Sequence, residues 1–378
     1  MSKKNFDVYF DFGFSKIRVG AFSKKNKDKN YFFENSCLSD FQVNKLNILN
    51  VSETIEKIIL EAEKKTEEYI DNISLMIDTS KALPIGLSLN KNIESKKLKK
   101  EEIYYLIQDA KQQITRSYPD YSIIHIIVTN YYLDNIEHNF LPINFECNKL
   151  SIDIVFICFP KNFISSLEEL FQKHNILIDQ IIFSSYAKSL NYKQQLESFE
   201  NIVFIDIGYE KTSIIYFNKG NFNFFNMMLI GGHHITKDIS KILNIDLATA
   251  EKVKFNFDKD NNFLNENNLS LDLIKKVIFA RIEEILEMSV KFFNLSMNSN
   301  ELSKFKFVFM GEGSKILDNK FKESIAFSKD IDLLDETCAN ICESGLKLVQ
   351  GINKQEVVII PKKLEKKGFF ERLFHFFK

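Results

Sequence analysis

Apolar and polar positions near the N-terminus follow a β-type pattern. The runs within residues 6–22, "FDVYFDF" and "IRVGAF", flank a short polar turn and predict a hairpin, and "NYFFENSCLSD" (30–40) predicts a third strand. The period then changes. In "VSETIEKIILEAEKKTEEYI" (51–70), Ile55, Ile58, Ile59 and Ala62 share one helical face, with charge opposite and Ser52 or Thr54 as the cap. "ISLMID" (73–78) then predicts a short buried strand, so the opening order is β-β-β-α-β.

Residues 81–150 predict a strand near 85–89, a Lys-rich loop, and a helix at 100–116, with strands around 122–134 and 150–159 closed by Pro160. A helix at 161–175 leads to the β-rich "ILIDQIIF". A second β-β-β series follows at 202–208, 212–218 and 222–230, ended by Gly231-Gly232. Helices are predicted at 236–245 and 246–254, then an Asn-rich loop (260–268) and a long helix (269–296). "FKFVFMGEGSKI" (305–316) is a strand running into a Gly turn, followed by a helix at about 335–350 and "VVII" (357–360). One topology therefore occurs twice, with a segment inserted in the first copy. That is an internal duplication, not a solenoid repeat.

Composition narrows the class. The 378 residues are 45% hydrophobic, enough for more than one core, and the formal net charge of −1 gives no basic field for nucleic acid. The abundance of Phe (37, with no Trp) is a compositional bias, so a Phe is not functional by being there. Five scattered Cys argue against a disulfide framework. "MSKKNFDVYF" lacks the apolar core of a signal peptide, and no run approaches the roughly 20 apolar residues of a spanning helix. A soluble, cytoplasmic body is expected.

Candidate chemistry centres on a repeated acidic turn. "FDFGFSKI" places Asp11 and Gly13 between two strands, and "IDIGYEKT" does the same with Asp206 and Gly208. Gly lets backbone N–H groups approach an anion, and a carboxylate at the strand end could hold a hydrated Mg²⁺. Ser15, Lys16 and Thr212 offer further donors. One Asp-x-Gly alone is an ordinary turn; its duplication favours the phosphates of a nucleotide. The third Gly turn, Gly311-Glu312-Gly313-Ser314, suits a base or ribose. His233 and His234 are adjacent, so on a strand or turn they point to opposite sides and make a poor ligand pair.

The C-terminus has its own pattern. After a Lys/Glu linker, Phe369, Phe370, Leu373, Phe374 and Phe377 share one helical face. From Pro361 to Lys378 there are six basic residues, Arg372 among them, against two acidic ones. A Phe-rich face flanked by cations suits an anionic bilayer surface, and many copies on one polymer would bind by avidity.

The order of these motifs, with "GGHHITKDIS", "AEKVK", "VIFARIEEILEMSVKFF" and "ESGLKLV", resembles the FtsA cell-division proteins, bacterial members of the actin-like ATPase fold. The resemblance implies an α/β chain of two duplicated lobes of ribonuclease-H-like topology, a small inserted α/β subdomain, and a C-terminal amphipathic helix. The first lobe is expected at 1–80 and 159–198, the insertion at 81–158, the second lobe at 199–352 (its outer part about 232–299), and the linker and membrane helix at 353–378. The resemblance also implies ATP and Mg²⁺. Its phosphate loops match Asp11, Gly13, Ser15 and Lys16, and Asp206, Gly208 and Thr212. Gly231 and Gly232 match the Gly pair beneath the phosphates, Glu251 and Lys254 flank ribose and base, and Gly311, Gly313 and Ser314 match the adenosine motif. Asp11 and Asp206 would face the metal through water. Tyr209, Glu210 and Glu312 stand where many relatives have glycine.

The resemblance further implies self-assembly into filaments, an anionic cytoplasmic membrane as a surface, other divisome proteins as partners, and the C-terminal peptide of FtsZ on Lys275, Lys276 and Arg281. For the two lysines the plainer reading is solvated helix charge paired with Glu. The implied location is peripheral, on the inner face of the cell membrane at the division site. No general base is assignable, so at most a weak ATPase is expected. Two other readings are a PilM-like protein of a pilus-assembly platform and a small-molecule kinase of the same fold. Neither has a use for the tail.

Overall fold

The structure is a computed structural model that describes residues 4–26, 29–37, 48–138, 140–196, 198–256, 270–294, 305–317, 330–351 and 357–359. Its contacts divide the chain into two units. The first comprises the described residues up to Phe12, residues 16–187, and those from Ile341 on; the second comprises Gly13–Ser15 and Lys188–Asn340.

In the first unit, β1 (Phe6–Phe12), β2 (Lys16–Ser23) and β3 (Tyr31–Ser36) form an antiparallel meander. The three residues 13–15 leave room only for a reversal, which fixes Phe12 opposite Ile17. α1 (Ile48–Thr66) buries Ile55, Ile58, Ile59 and Ala62, the face set by its 3.6-residue period. β4 (Asn72–Ile77) runs parallel to β1. The inserted segment adds β5 (Leu83–Lys97), α2 (Lys100–Ser117), β6 (Tyr121–Leu133), β7 (Ile136–His138) and β8 (Glu146–Pro160). α3 (Lys161–Gln172) leads to β9 (Leu177–Phe183), parallel to β4, so the main sheet has the order β3-β2-β1-β4-β9.

β5 is far longer than the strand expected at 85–89. Leu83, Ile85, Leu87 and Leu89 alternate onto the small core beneath α2, while β5 pairs along the whole of β8 and carries the Lys-rich stretch with it past a bulge at residues 92–96. Pairing on one edge and alternation on one face outweigh the charge that suggested a loop.

α4 (Ser184–Gln195) leads into the second unit. There β10 (Ile202–Ile207), β11 (Thr212–Asn218) and β12 (Asn221–Met228) repeat the meander. The Gly pair begins a helix instead of merely ending a strand: α5 spans Gly232–Leu243 and α6 Leu247–Asn256. α7 (Leu271–Asn294) buries Ile274, Ile278, Ile282 and Ile285 against the core beneath β10. β13 (Lys306–Met310) runs parallel to β10, then a 3-10 turn (Glu312–Ile316) precedes β14 (Ile331–Leu333). The sheet order is β12-β11-β10-β13-β14, which matches the first sheet strand for strand. The internal duplication read from the sequence is therefore one of sheet topology. α8 (Cys338–Val349) passes back into the first unit, where a side chain at Gly345 would meet Met76 at 2.6 Å. β15 (Val357–Ile359) adds to β6 in the inserted sheet, of order β15-β6-β8-β5.

The changes of unit fall inside α4 and α8. The FtsA resemblance implies bounds at 198 and 352. The expected membrane helix, with Phe369, Phe370, Arg372, Leu373, Phe374 and Phe377, lies outside the described residues. Among the described residues no helix is long and apolar enough to cross a membrane.

Candidate functional site

Five glycines join three motifs in the second unit. The turn after β10 is closed by the Gly208 N–H donating to Lys211 O (2.9 Å). The start of α5 docks on it, with Gly232 N–H donating to Gly208 O (2.9 Å) and His233 N–H to Tyr209 O (2.7 Å). A Cβ on Gly231 would fall 2.6–2.7 Å from Gly208 O, Tyr209 O and Lys211 N, so only glycine allows that approach. Gly311, after β13, has φ of 90°, and a Cβ there would overlap Asp206 Oδ1. A Cβ on Gly313 would meet Ile207 O at 2.8 Å, and one on Gly232 would lie 3.5 Å from Gly313 Cα. The β10–β11 turn, the Gly pair and the Gly311–Ser314 turn thus meet backbone to backbone, though 100 residues separate the first from the last.

The side chains around this junction are mostly engaged. Thr212, expected to offer a hydroxyl, is buried and donates to Ile230 O (2.7 Å), which ties β11 to the end of β12. The Ser314 hydroxyl closes its own turn on Gly311 O (2.8 Å). Lys254 was expected beside a ribose or base. Its ammonium is 1% exposed and donates to Glu251 Oε2 (2.7 Å), Thr236 Oγ1 (2.9 Å) and Gly232 O (3.2 Å), so it props the Gly pair from within. Burial lowers its pKa, and the Glu251 carboxylate opposes that. Glu251 itself stays partly exposed.

Tyr209, Glu210 and Glu312, which stand where the resemblance expects glycine, are accommodated. Tyr209 stacks on His233 with centroids 4.7 Å apart. Glu312 pairs with Lys315 (3.2 Å), and Glu210 is half-buried. His233 sits at the helix start, with its pKa pushed down to about 4 by burial, and neither ring nitrogen has a hydrogen-bond partner among the described residues.

A buried charge cluster lies beside Gly311. Asp206 is 2.6 Å from the Lys188 ammonium, which is 3.2 Å from Glu336 Oε2. The same Glu336 oxygen accepts the Gly311 N–H (2.8 Å), while Oε1 has no partner among the described residues. Burial raises the Glu336 pKa, Lys188 opposes the shift, and Asp206 reinforces it. Neither Lys188 nor Glu336 stood out in the sequence. The available signal was a lysine within the small-residue helix "SSYAKSLNY".

In the first unit Asp11 is buried at the end of β1. Its Oδ2 faces Arg18 Nη1 (3.1 Å) and its Oδ1 accepts from Ser184 Oγ (2.8 Å). Arg18 also reaches Glu34 (2.7 Å), and Lys16 pairs with that same Glu34 (2.9 Å) instead of standing open for a phosphate. Gly13 and Ser15 are half-buried in the turn.

The sequence of this glycine junction matches a known family. Residues 203–352 match the family model described as "Cell division protein FtsA". The curated relatives carry the same description. FtsA of Buchnera aphidicola subsp. Schizaphis graminum is 25% identical over 211 residues, 52% of this chain and 50% of that protein. FtsA of Helicobacter pylori strain 26695 is 27% identical over 138 residues, 36% of this chain and 28% of that protein. The chain is similar to the FtsA proteins. A match to FtsA of the Acyrthosiphon pisum Buchnera is longer, at 22% identity over 75% of this chain and 74% of that one. The matched stretch spans half or less of the first two relatives' length.

Solved structures extend the comparison to the fold. The PilM-PilN type IV pilus biogenesis complex aligns with a TM-score of 0.57 at 12% identity, over 89% of each chain. The ethanolamine utilization protein EutJ from Carboxydothermus hydrogenoformans aligns at 0.51 and 10%, over 92% of this chain and 90% of that one. The fold is the actin-like one that the motif order implies.

Set against the FtsA resemblance, two expectations meet a different arrangement. The first is the metal. Mg²⁺ holds oxygen ligands in an octahedral shell. Asp11 and Asp206, the carboxylates expected to face it through water, each hold a cationic side chain within 3.1 Å in a buried pair. A dication beside either would meet a like charge at low dielectric. No group of three or more His, Cys, Asp or Glu that could hold a metal occurs among the described residues. These residues do not fit Mg²⁺. The second is Arg281. It donates to Asp238 on α5 (2.7 Å) and also pairs with Glu284, so it ties α7 to α5. Lys275 is half-buried and Lys276 exposed on the same helix.

Proposed function

We propose that the chain is an actin-like, ATP-binding cell-division protein that tethers FtsZ filaments to the inner face of the cytoplasmic membrane and helps assemble the division ring. The observation that carries this reading is the FtsA match over residues 203–352, the segment that builds the glycine junction. Glycines without side chains at the β10 turn and at the start of α5 favour a ligand that approaches backbone, such as the phosphates of a nucleotide. ATP acts mainly as an assembly ligand, and no residue is assigned to its hydrolysis. The insertion at 81–158 serves filament contacts and contacts with other division proteins. The outer part of the second unit, with Lys276 exposed on α7, receives the acidic C-terminal peptide of FtsZ.

The tail supplies the membrane step. Its five-residue apolar face and surrounding cations suit an anionic headgroup layer, with each nearby cation contributing about 1 kcal/mol and filament avidity supplying the rest. The test is co-sedimentation with anionic liposomes, with and without residues 365–378 and with FtsZ as passenger. The full chain is expected to pellet and carry FtsZ with it, and the truncated chain to stay in the supernatant. A full-length chain that leaves itself and FtsZ unbound refutes the proposal.

A further inference from the structure

The second-unit aspartate expected to face a divalent ion faces an ammonium group. Lys188 lies on α4 beside the buried residues Ser185, Ala187 and Ser189. Its nitrogen lies 2.6 Å from Asp206 and 3.2 Å from Glu336, and the three side chains are 9%, 8% and 3% exposed. The cluster is locked to the glycine junction at two points. Glu336 holds the Gly311 N–H, and Asp206 Oδ1 occupies the space a Gly311 side chain would need. An ammonium is a compact point charge with three donors, which suits phosphate oxygens as well as carboxylates. Glu336 Oε1 beside it is buried and has no hydrogen-bond partner among the described residues, an independent sign that the cluster is incomplete as it stands.

We propose that Lys188 takes the place of the divalent cation in the second unit. Held between Asp206 and Glu336, its ammonium is the resident countercharge for the phosphates of a bound nucleotide, and nucleotide binding needs no Mg²⁺. The inference rests on the reading of the chain as nucleotide-binding.

The experiment titrates ATP into the full-length chain by calorimetry, once in EDTA and once with excess Mg²⁺. The expected result is the same dissociation constant within about threefold in both. Binding that appears only with Mg²⁺ overturns the inference and leaves the nucleotide reading intact. Binding in neither condition overturns both. Lys188→Met then tests the residue. In EDTA it should bind ATP at least about tenfold more weakly, as for loss of a charge-assisted contact, and Mg²⁺ should restore part of the affinity now that Asp206 is released. If Lys188→Met fails to fold because it strands two buried carboxylates, Lys188→Met with Asp206→Asn removes the pair as a unit. That double variant should show the same loss in EDTA. Unchanged EDTA affinity in whichever variant folds shows that Lys188 is only structural and overturns the inference.

Discussion

Replacing Gly311 by Ala tests the claim that close backbone approach organises the second unit. Gly311 has φ 90° and ψ 162°, in the region that glycine alone occupies readily, and forcing a side-chain-bearing residue there costs about 1–3 kcal/mol. The added Cβ would also overlap Asp206 Oδ1 and fall 2.6 Å from Ile207 O. Neither neighbour can move freely, because Asp206 is held by Lys188 and Ile207 lies within β10. Relieving that contact adds about 1–3 kcal/mol, as for overpacking elsewhere. The loss of unfolded-chain entropy returns about 0.4–1 kcal/mol. The net is about 3 kcal/mol, or a fall of about 6–12 °C in the unfolding of a unit of this size. Differential scanning calorimetry on the full chain reads it directly. Gly86→Ala on β5 is the control, since a Cβ there meets nothing within 4 Å and should be neutral or slightly stabilising. A Gly311→Ala protein that melts with wild type would refute the idea that the junction depends on that approach.

Three further outcomes follow from buried and paired charges. Because burial raises the folded pKa of Glu336 above the ordinary 4.5, its contribution to stability is present below that value and is lost as pH rises through the folded pKa. Glu336→Gln should flatten that slope in urea midpoints measured upward from pH 4.5, and an unchanged slope would assign it to other groups. His125 has the opposite sign. Burial pushes its pKa from 6.5 down to about 3, and its Nε2 accepts the Phe183 N–H, so stability is intact above 6.5 and falls by up to about 1.4 kcal/mol per pH unit below it. His125→Gln, which keeps an acceptor, should reduce that acid sensitivity in urea midpoints taken between pH 6.5 and 4; the same acid slope in the variant would count against it. On α7, Arg281→Ala should cost the second unit about 0.5–1 kcal/mol through the lost tie to Asp238, whereas Lys276→Glu should leave the melting temperature alone and weaken FtsZ co-sedimentation. The reverse pattern would make Arg281 the partner contact.

The duplicated meander was legible because its signals are local. Apolar runs such as "VYFDF" and "VFIDI", each ended by Asp-x-Gly, specify strand, turn and strand with no knowledge of the rest of the chain. The same holds for α1, whose buried Ile face follows from a 3.6-residue period. What local signals cannot carry is pairing. The length of β5 depends on β8, more than fifty residues later, and the attachment of β15 to β6 depends on a partner some 230 residues earlier. The unit boundaries were hidden for a related reason, since α4 and α8 are continuous helices with no change of composition where the contacts change.

The site was legible as a set of positions and not as a set of roles. Gly208, Gly231, Gly232, Gly311 and Gly313 do converge, because a missing Cβ is a property of the residue itself. Asp206, Thr212 and Lys254 match ligand-facing positions of the family that the chain resembles, yet each is used within the protein. In a buried setting a polar group must find a partner, and the nearest partner is usually the protein. The same argument covers Tyr209 and Glu312, which stand where the resemblance expects glycine. Their side chains have somewhere else to go, onto His233 and Lys315, so the junction keeps its backbone geometry without the extra glycines. The distinctive residue of the site is therefore not a missing glycine but the lysine on α4. It places a fixed positive charge beside Asp206, the carboxylate that the FtsA resemblance implies would face Mg²⁺.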